Sequence, residues 1–241
     1  MLESHMITQS WSPLAAEVAP AMLPPLHTLD RASLLRLLDR CLLQSPSNLT
    51  DPPAIYAGLG RRVSAELLSL LPAPTQRAAV LVPLIDREDG LHVLLTQRSA
   101  HLKNHAGQIS FPGGRIEQSD ADARSAALRE TAEEIGLNAD RVEVLGYLPD
   151  HVVISGYRVT PVVGRVLAPL TLTVDRQEVD EAFEVPLAFL LNPEHHRPRK
   201  RLLMDRELEL TDMPFGSRNI WGATAGMLMT LFSLLAEARD S

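Results

Sequence analysis

Residues 129–137, Arg-Glu-Thr-Ala-Glu-Glu-Ile-Gly-Leu, constrain the fold more than any other part of the chain. A helical pattern covers residues 122–135 and ends at a glycine, which commonly terminates helices. Because residues three or four positions apart share a helical face, Glu130, Glu133 and Glu134 are expected to project close together. Three like charges repel one another there, so the fold must expose them to solvent or supply a cation.

Segments with strand-like composition on both sides of this helix predict a mixed α/β domain. Residues 78–85 and 92–96 are separated by a turn-rich segment and predict a hairpin. The other predicted elements are strands at 108–111, 142–148, 157–166 and 170–174, a short helix at 186–191 and a terminal helix at 222–238. Strands and helices in this order favour a single unit built on a mixed sheet.

The first 75 residues differ in character from the rest and predict a separate extension. Residues 1–28 contain several prolines and little periodicity, which is typical of an irregular arm. Asp30 can cap a helix with leucines at helical spacing, and a second apolar-periodic stretch covers residues 61–71. We therefore divide the chain into an N-terminal helical extension, residues 1–75, and an α/β domain, residues 76–241.

Composition argues against several classes of function. Lys and Arg total 23 against 30 Asp and Glu, a net charge of -7, which disfavours a general binder of nucleic acid. Cys41 is the only cysteine, so neither an intrachain disulfide nor a multi-cysteine zinc site can form. No apolar run approaches the roughly 20 residues of a membrane-spanning helix, and no secretory signal is found. The expected location is cytoplasmic, with no membrane partner.

The residues alone leave two interpretations of the glutamate helix. The three carboxylates could form a solvated acidic face, or they could hold Mg²⁺ or Mn²⁺, which favour carboxylate oxygens and retain waters for a phosphate ligand. The second interpretation is favoured by the upstream loop 111–114, Phe-Pro-Gly-Gly, whose glycines allow the backbone to approach a ligand closely. Arg129, beside the carboxylates, could orient one of them through a bidentate pair.

The same segment resembles the signature of the Nudix hydrolase family. The second half of that signature reads Arg-Glu, an apolar residue, any residue, Glu-Glu, any residue, Gly and a final apolar residue. Residues 129–137 fit it, except that Thr131 replaces the first apolar residue. The first half departs more, because Asp120 is the nearest substitute for the early glutamate and one extra residue follows it before Arg129.

These departures are typical of the coenzyme A pyrophosphatase branch of the family, which has a second signature upstream. It has the form Leu-Leu-Thr-x-Arg-Ser, a few spacers, His-x-Gly-Gln and then Phe-Pro-Gly-Gly, and residues 94–114 agree with it almost continuously. Weaker likenesses occur at residues 156–164, 178–186 and 220–225, the second of which looks like a later acidic loop of the branch. In all, the resemblance covers roughly residues 75–238.

The resemblance implies a Nudix-type α/β/α sandwich with a mixed sheet and metal-dependent hydrolysis of coenzyme A or acyl-coenzyme A. The products would be 4′-phosphopantetheine, or its acyl form, and adenosine 3′,5′-bisphosphate. Alternatives are a Nudix pyrophosphatase for NADH, ADP-ribose or a dinucleoside polyphosphate, and a Nudix module that binds a nucleotide without turnover. A homodimer is a further option, because family members often dimerise.

The resemblance also implies roles for individual residues around the metal. Glu130 and Glu134 are expected to ligate it directly, and Glu133 is expected to act as a third ligand or as a base through water. The backbone carbonyl of Gly114 would complete the coordination sphere, as in the family. Arg129 is expected to orient a glutamate.

Candidates outside the glutamate helix have alternative interpretations. Glu178 and Glu181 lie where Nudix enzymes often keep a general base, but either could be an ordinary surface acid. Arg98, His105 and Gln108 are candidates for substrate binding, Arg98 because a guanidinium fits a phosphate bidentately. For His105, a structural hydrogen bond beneath the glycine loop is an equal alternative.

Two further groups of residues are interpreted mainly as structural. Residues 195–200 contain two histidines and three basic residues, which predict a solvated loop, with attraction of a 3′-phosphate as the alternative. Trp221 and Phe215 are expected in the core rather than as platforms for adenine.

Overall fold

The structure, a computed structural model, describes residues 23–46, 76–102, 105–153, 155–167, 169–203 and 206–241. Its helices are α1 (Arg31–Cys41), α2 (Ala123–Ile135), α3 (Leu187–Leu190) and α4 (Gly222–Asp240). Its strands are β1 (Gln76–Arg87), β2 (Gly90–Arg98), β3 (Ile109–Ser110), β4 (Gly113–Arg115), β5 (Val142–Tyr147), β6 (His151–Val152), β7 (Tyr157–Val166), β8 (Val179–Pro186), β9 (Arg197–Leu203), β10 (Arg206–Phe215) and β11 (Arg218–Ile220). The helix predicted at 61–71 lies outside the described residues. Among the helices that are described, none is long and apolar enough to cross a bilayer.

A mixed sheet of eight strands forms the centre of the domain. Its main path runs β3-β2-β1-β7-β5, in which β1 and β7 are parallel and the other neighbours are antiparallel. In addition, β8 pairs with β2, β4 with β1 and β6 with β7. Strands β9, β10 and β11 form a smaller antiparallel sheet. The connection from β1 to its parallel neighbour β7 carries α2, so this connection places the glutamate helix on one face of the sheet.

Helices cover both faces of the large sheet and create two hydrophobic cores. On one face, α2 packs through small residues, including Ala126 and Ala127, against Leu81 of β1. On the other face, α1 and α4 supply leucines that pack against Val82 of the same strand. The two neighbours in β1 serve different cores because successive side chains of a strand point to opposite faces. The architecture is the α/β/α sandwich that the resemblance implied.

Residues 170–174 do not form the predicted strand, because they lie across the C-terminal end of α2 instead. The N–H of Thr173 donates to the carbonyl of Ile135, and that of Asp175 donates to the carbonyl of Glu134, both at 2.9 Å. The last carbonyls of a helix have no partner within the helix. This segment therefore donates hydrogen bonds to the last carbonyls of α2 instead of to a neighbouring strand.

Two segments predicted as loops are strands. The acidic segment from residue 179 forms β8 against β2, and the basic run from residue 197 forms β9 against β10. In the second pair, Lys200 meets Glu207 at 2.6 Å and Arg201 meets Asp212 at 2.9 Å. These ion pairs join the two strands at positions that are not directly opposite in the register, and they add to the backbone pairing. The prediction failed because these acidic partners lie 7 and 11 residues further along the chain, outside the basic run itself.

Strand β6 carries a buried histidine without a hydrogen-bond partner. His151 is 1% exposed, and within the described residues neither ring nitrogen has a partner. Burial lowers the pKa of His151 to about 4, because the charged ring would lose its hydration inside the protein. The folded chain therefore binds a proton at this ring less readily than the unfolded chain does.

Acidification is expected to destabilise the fold through His151. At pH values between about 4 and 6.5, the ring of His151 is protonated in the unfolded chain and neutral in the folded chain. The free energy of unfolding therefore falls as the pH decreases through this range. From about pH 7 to about pH 5 this loss amounts to about 2 kcal/mol. His151→Leu is expected to remove this part of the pH dependence without lowering stability at neutral pH, because it removes two unpaired nitrogens.

Urea unfolding of both proteins at the two pH values measures the difference. Comparison with the variant also cancels the contributions of other titrating groups. An equal response of the two proteins to pH would show that the histidine is not the cause.

Candidate active site

The bend that leads into β4 brings two glycines against the glutamate side of α2. The N–H of Gly113 donates to Oε2 of Glu134 at 3.1 Å. At Gly114, an added Cβ would lie 2.4 Å from Oε2 and 2.7 Å from Oε1 of Glu130. Gly113 pairs with Val80 of β1 and has a φ of 145°, so a side chain there would strike the backbone of β1. The close contact of β1 with Gly113 and of Glu130 with Gly114 therefore leaves no room for a side chain at either position.

Glu130 and Glu134 face this bend, whereas Glu133 turns outward. The side chain of Glu134 is 4% exposed and that of Glu130 is 18% exposed, against 59% for Glu133. Glu133 accepts a hydrogen bond of 3.0 Å from Arg129. The structure thus brings two of the three predicted metal-binding glutamates to the predicted glycine and leaves the third at the edge.

Arg129 connects this acidic group to the loop before α2. Its Nε and one terminal nitrogen each donate to Asp120 at 3.0 Å, and its other terminal nitrogen donates to Glu130 at 3.1 Å and to Glu133. Hydrogen bonding from Arg129 lowers the pKa of Asp120. Asp120, the nearest substitute for the early glutamate of the signature, therefore anchors the arginine that contacts two of the glutamates.

Burial and mutual repulsion act on the two inward carboxyls. Burial raises the pKa of Glu134 to about 7, the charges of Glu178 and Glu130 add to the increase, and the guanidinium of Arg98 opposes it. Burial likewise raises the pKa of Glu130. Buried carboxylates are costly unless their charge is compensated. A divalent cation is one means of compensation.

The two candidate bases have different neighbours. The charge of Glu178, in the turn before β8, raises the pKa of both inward glutamates, so its carboxylate acts on them electrostatically. Glu181, within β8, instead accepts hydrogen bonds from Arg218 at 2.6 Å to each oxygen. That guanidinium also lies over the ring of Phe183, 4.3 Å from its centroid, on the face that carries α4. The structure brings Glu178, and not Glu181, to the glutamate helix.

The three candidates for substrate binding lie at the end of β2, which is Arg98, and in the loop from β2 to β3, which holds His105 and Gln108. A terminal nitrogen of Arg98 lies 3.7 Å from Oε1 of Glu134, and its Nε is buried without a partner in the described part of the chain. Nδ1 of His105 lies 2.8 Å from Oε1 of Gln108, and His105 adopts a left-handed φ of 58°. Arg98 can therefore meet an anion beside the carboxylates, whereas His105 and Gln108 bond to each other.

Two residues that shape the site had no individual role predicted, although Gly113 belongs to the loop 111–114 whose glycines were expected to approach a ligand. Gly113 supplies the backbone N–H to Glu134, and only the doubled glycine of the bend signals it. Asp180 accepts hydrogen bonds from Oγ of Ser99 at 2.9 Å and from the N–H of Ala100 at 3.1 Å, which fixes the start of the β2–β3 loop. Nothing in the local sequence distinguishes Asp180 from the acidic residues around it.

Contacts within the protein occupy the histidines of the basic run. The ring of His195 stacks on Phe189 with centroids 3.8 Å apart, and Nε2 of His196 lies 2.7 Å from the carbonyl of Leu190. Phe215 packs edge-on against Phe189, which confirms its place in the core. These contacts join α3 to the smaller sheet and do not support attraction of a phosphate.

The donor groups of the site fit a hard divalent cation. Within the described ranges, no group of three or more His, Cys, Asp or Glu side chains is arranged as a complete metal site. The two inward glutamates nevertheless supply oxygen donors with raised pKa values against the backbone of the glycine bend. Mg²⁺ and Mn²⁺ prefer such oxygens and bind readily through one or two carboxylates, water and phosphate.

Comparisons with known proteins identify similar chains. The profile of the family described as NUDIX domain matches residues 75–206. The protein called "Uncharacterized Nudix hydrolase NudL" from Escherichia coli strain K12 / DH10B is 41% identical over 157 residues, which cover 65% of this chain and 81% of that protein. Its counterpart from Shigella flexneri serotype 5b is 40% identical over 161 residues, covering 66% and 83%. The crystal structure of MutT protein from Methanosarcina mazei Go1 is 23% identical and covers 50% of this chain and 83% of that chain, with a TM-score of 0.40.

Proposed function

The chain belongs to the Nudix family and is a pyrophosphatase for nucleoside diphosphate derivatives, and on this premise we propose that its substrate is coenzyme A or an acyl-coenzyme A. The reaction would release 4′-phosphopantetheine, or its acyl form, and adenosine 3′,5′-bisphosphate. The choice of substrate is supported by the agreement of residues 94–114 with the upstream signature of the coenzyme A branch.

The observation that carries the proposal is the position of Arg98. This arginine belongs to the upstream signature, and its guanidinium lies 3.7 Å from the carboxylate of Glu134. Its side chain is 27% exposed, so its guanidinium can meet a phosphate oxygen. A pyrophosphate bound beside Glu134 would therefore bond to Arg98 as well as to the metal.

We propose Glu130 and Glu134 as direct metal ligands, the carbonyl of Gly114 as a further ligand, and Glu133 as a contact through water. Nudix hydrolases generally use divalent metal ions. Bound Mg²⁺ or Mn²⁺ would neutralise charge on the phosphate oxygens and lower the pKa of a water. Support for this assignment comes from the contact of both inward carboxylates with the glycine bend and from the raised pKa of each.

The remaining steps are assigned to side chains of this chain. Arg129 acts as a positioning residue, because it ties Glu130 and Glu133 to the anchored Asp120. Glu178 is the proposed general base, because it is exposed to water and lies close enough to the inward glutamates to influence their pKa. A carboxylate in that position can take a proton from the attacking water and pass it to solvent.

Substrate choice is tested with coenzyme A, acetyl-coenzyme A, NADH, ADP-ribose and a dinucleoside polyphosphate, each with Mg²⁺ and with Mn²⁺. The highest kcat/KM is expected for coenzyme A or its acyl form. Mass spectrometry is expected to identify 4′-phosphopantetheine and adenosine 3′,5′-bisphosphate as products. Equal or better turnover of a substrate other than coenzyme A would overturn this choice and leave the family assignment unaffected.

Glu178→Gln is expected to lower kcat by about 10²- to 10⁴-fold, because it removes the proposed proton acceptor. Thermal unfolding and Mn²⁺ affinity are expected to change little. Glu143→Gln, which alters a largely exposed carboxylate on β5, is the matched control and is expected to keep full turnover. Unchanged kcat in the Glu178 variant would make this residue an ordinary surface acid.

A further inference from the structure

The turn at residues 175–180 carries the proposed base, Glu178, and its first residue is bonded to the glutamate helix. The N–H of Asp175 donates to the carbonyl of Glu134 at 2.9 Å. Within the turn, the N–H groups of Glu178 and Val179 donate to the carbonyl of Asp175 at 3.1 and 2.9 Å. The turn is therefore closed on itself and attached to α2 at one end.

The other end of the turn is bonded to the residues that follow β2. The backbone N–H of Ser99 donates to the carbonyl of Glu178 at 2.9 Å. The hydroxyl of Ser99 donates to Oδ1 of Asp180 at 2.9 Å, and the N–H of Ala100 donates to Oδ2 at 3.1 Å. These three contacts, the Ser99–Asp180 clamp, join the turn to the end of β2.

The position of Asp180 follows from an irregularity in the pairing of β8 with β2. Glu181 lies opposite Gln97 of β2. Val179, two positions earlier in β8, lies opposite the next residue of β2, Arg98. Asp180 therefore has no opposite residue, which is the arrangement of a β-bulge. Bulges redirect side chains and are common beside active sites.

Ser99 belongs to the upstream signature, but its hydroxyl is committed to contacts within the protein. Ser99 is 0% exposed, and besides Asp180 its hydroxyl lies 3.2 Å from the carbonyl of Arg176. Nη1 of Arg176 in turn donates to the backbone carbonyl of Asp180. A buried hydroxyl with such partners holds segments of the chain in one arrangement. The serine of the signature is therefore a tie between two parts of the site.

Of the two side chains next to the clamp, Glu178 depends on it more than Arg98 does. Arg98 has anchors of its own, because its N–H donates to the carbonyl of Gln108 at 2.9 Å and its carbonyl accepts the N–H of Gly107 at 3.0 Å. Glu178 is exposed, and in the described part of the chain no side chain bonds to its carboxylate. The position of that carboxylate therefore depends on the backbone of the turn.

We propose that Asp180 is a positioning residue, which acts through Ser99 and Ala100 to keep the carboxylate of Glu178 where it can take the proton of the attacking water. This inference rests on the proposed function, because Asp180 has this task only if Glu178 is the base. A base must lie within hydrogen-bond reach of the proton that it removes. A displacement of about 1 Å can lower a rate by about 100-fold.

Asp180→Ala is expected to lower kcat by about 10-fold or more and to leave KM within about 2-fold, because it displaces the base and leaves Arg98 in place. Ser99→Ala is expected to have an effect of the same kind, because it removes the donor of the same hydrogen bond. Both are measured with whichever substrate the protein prefers. Gln177→Ala, which alters an exposed side chain of the same turn, is the matched control and is expected to keep full kcat.

Combination with Glu178→Gln separates positioning from general damage to the fold. In the Glu178→Gln background, Asp180→Ala is expected to lower kcat by less than about 2-fold more, because the position of an absent base no longer matters. A loss by the same factor in both backgrounds would overturn the proposal. Equal kcat of Asp180→Ala and the unaltered protein would also overturn it.

Hydrogen–deuterium exchange tests the clamp without substrate, metal or turnover. In Asp180→Ala, exchange at the N–H of Ala100 is expected to accelerate by about 10-fold or more, and exchange in α2 is expected to stay unchanged. Unchanged exchange at Ala100 would show that the clamp does not hold the chain there. If Asp180→Ala fails to fold, as judged by circular dichroism, Asp180→Asn replaces it in every comparison, because its amide group cannot accept the N–H of Ala100.

The outcomes distinguish this proposal from the proposed function. Preference for a substrate other than coenzyme A would overturn the choice of substrate and leave the task of Asp180 intact, because the same base would serve any pyrophosphate. Unchanged kcat in Glu178→Gln would overturn the proposal for Asp180 together with the assignment of the base. The proposed substrate and metal ligands would then stand.

Discussion

The approach of two carboxylates to a glycine bend is the contact on which the rest of the site depends. Glu134 accepts the N–H of Gly113, and Glu130 fills the space that a side chain at Gly114 would need. This approach requires α2 to lie close to the sheet, and the alanines on its buried side allow that. It also requires β4 to pair with β1, which fixes the bend on the strand that α2 covers.

This contact brings two carboxyls of like charge together in a partly buried place, and the surrounding residues reduce the electrostatic cost. Arg98 opposes the rise in the pKa of Glu134, and the backbone N–H of the bend does the same. Arg129 binds Glu130 on the other side and is itself held by Asp120. A bound divalent ion would complete this compensation, which is why we place the metal at the bend.

The departure of this chain from the general Nudix signature has a structural explanation. Despite the extra residue, Asp120 at the early position still accepts two hydrogen bonds of 3.0 Å from Arg129. Thr131, which replaces an apolar residue, is buried and donates its hydroxyl to the carbonyl of Ala127 at 2.6 Å. Neither departure disturbs the inward glutamates, so neither favours a module without catalytic activity.

Patterns within a short stretch of sequence, such as a capping residue or a run of strand-forming residues, predict the helices and strands that they belong to. Asp122 caps α2 by accepting the N–H of Ser125 at 2.7 Å, and the predicted strand at 157–166 coincides with β7. The sequence did not indicate β9, because nothing within the basic run shows that it pairs with β10 and bonds to its acidic residues. It also could not separate Glu178 from Glu181, because the face on which each lies depends on where β8 begins.

Binding of Mn²⁺, followed by electron paramagnetic resonance, tests the central claim most directly, because it needs neither substrate nor turnover. The unaltered protein and the variants Glu134→Gln and Glu133→Gln are compared after thermal unfolding has confirmed that all three are folded. The account predicts that Glu134→Gln weakens Mn²⁺ binding by about 10-fold or more and that Glu133→Gln, whose side chain turns outward, weakens it far less. Equal Mn²⁺ affinity of the unaltered protein and Glu134→Gln would contradict the account.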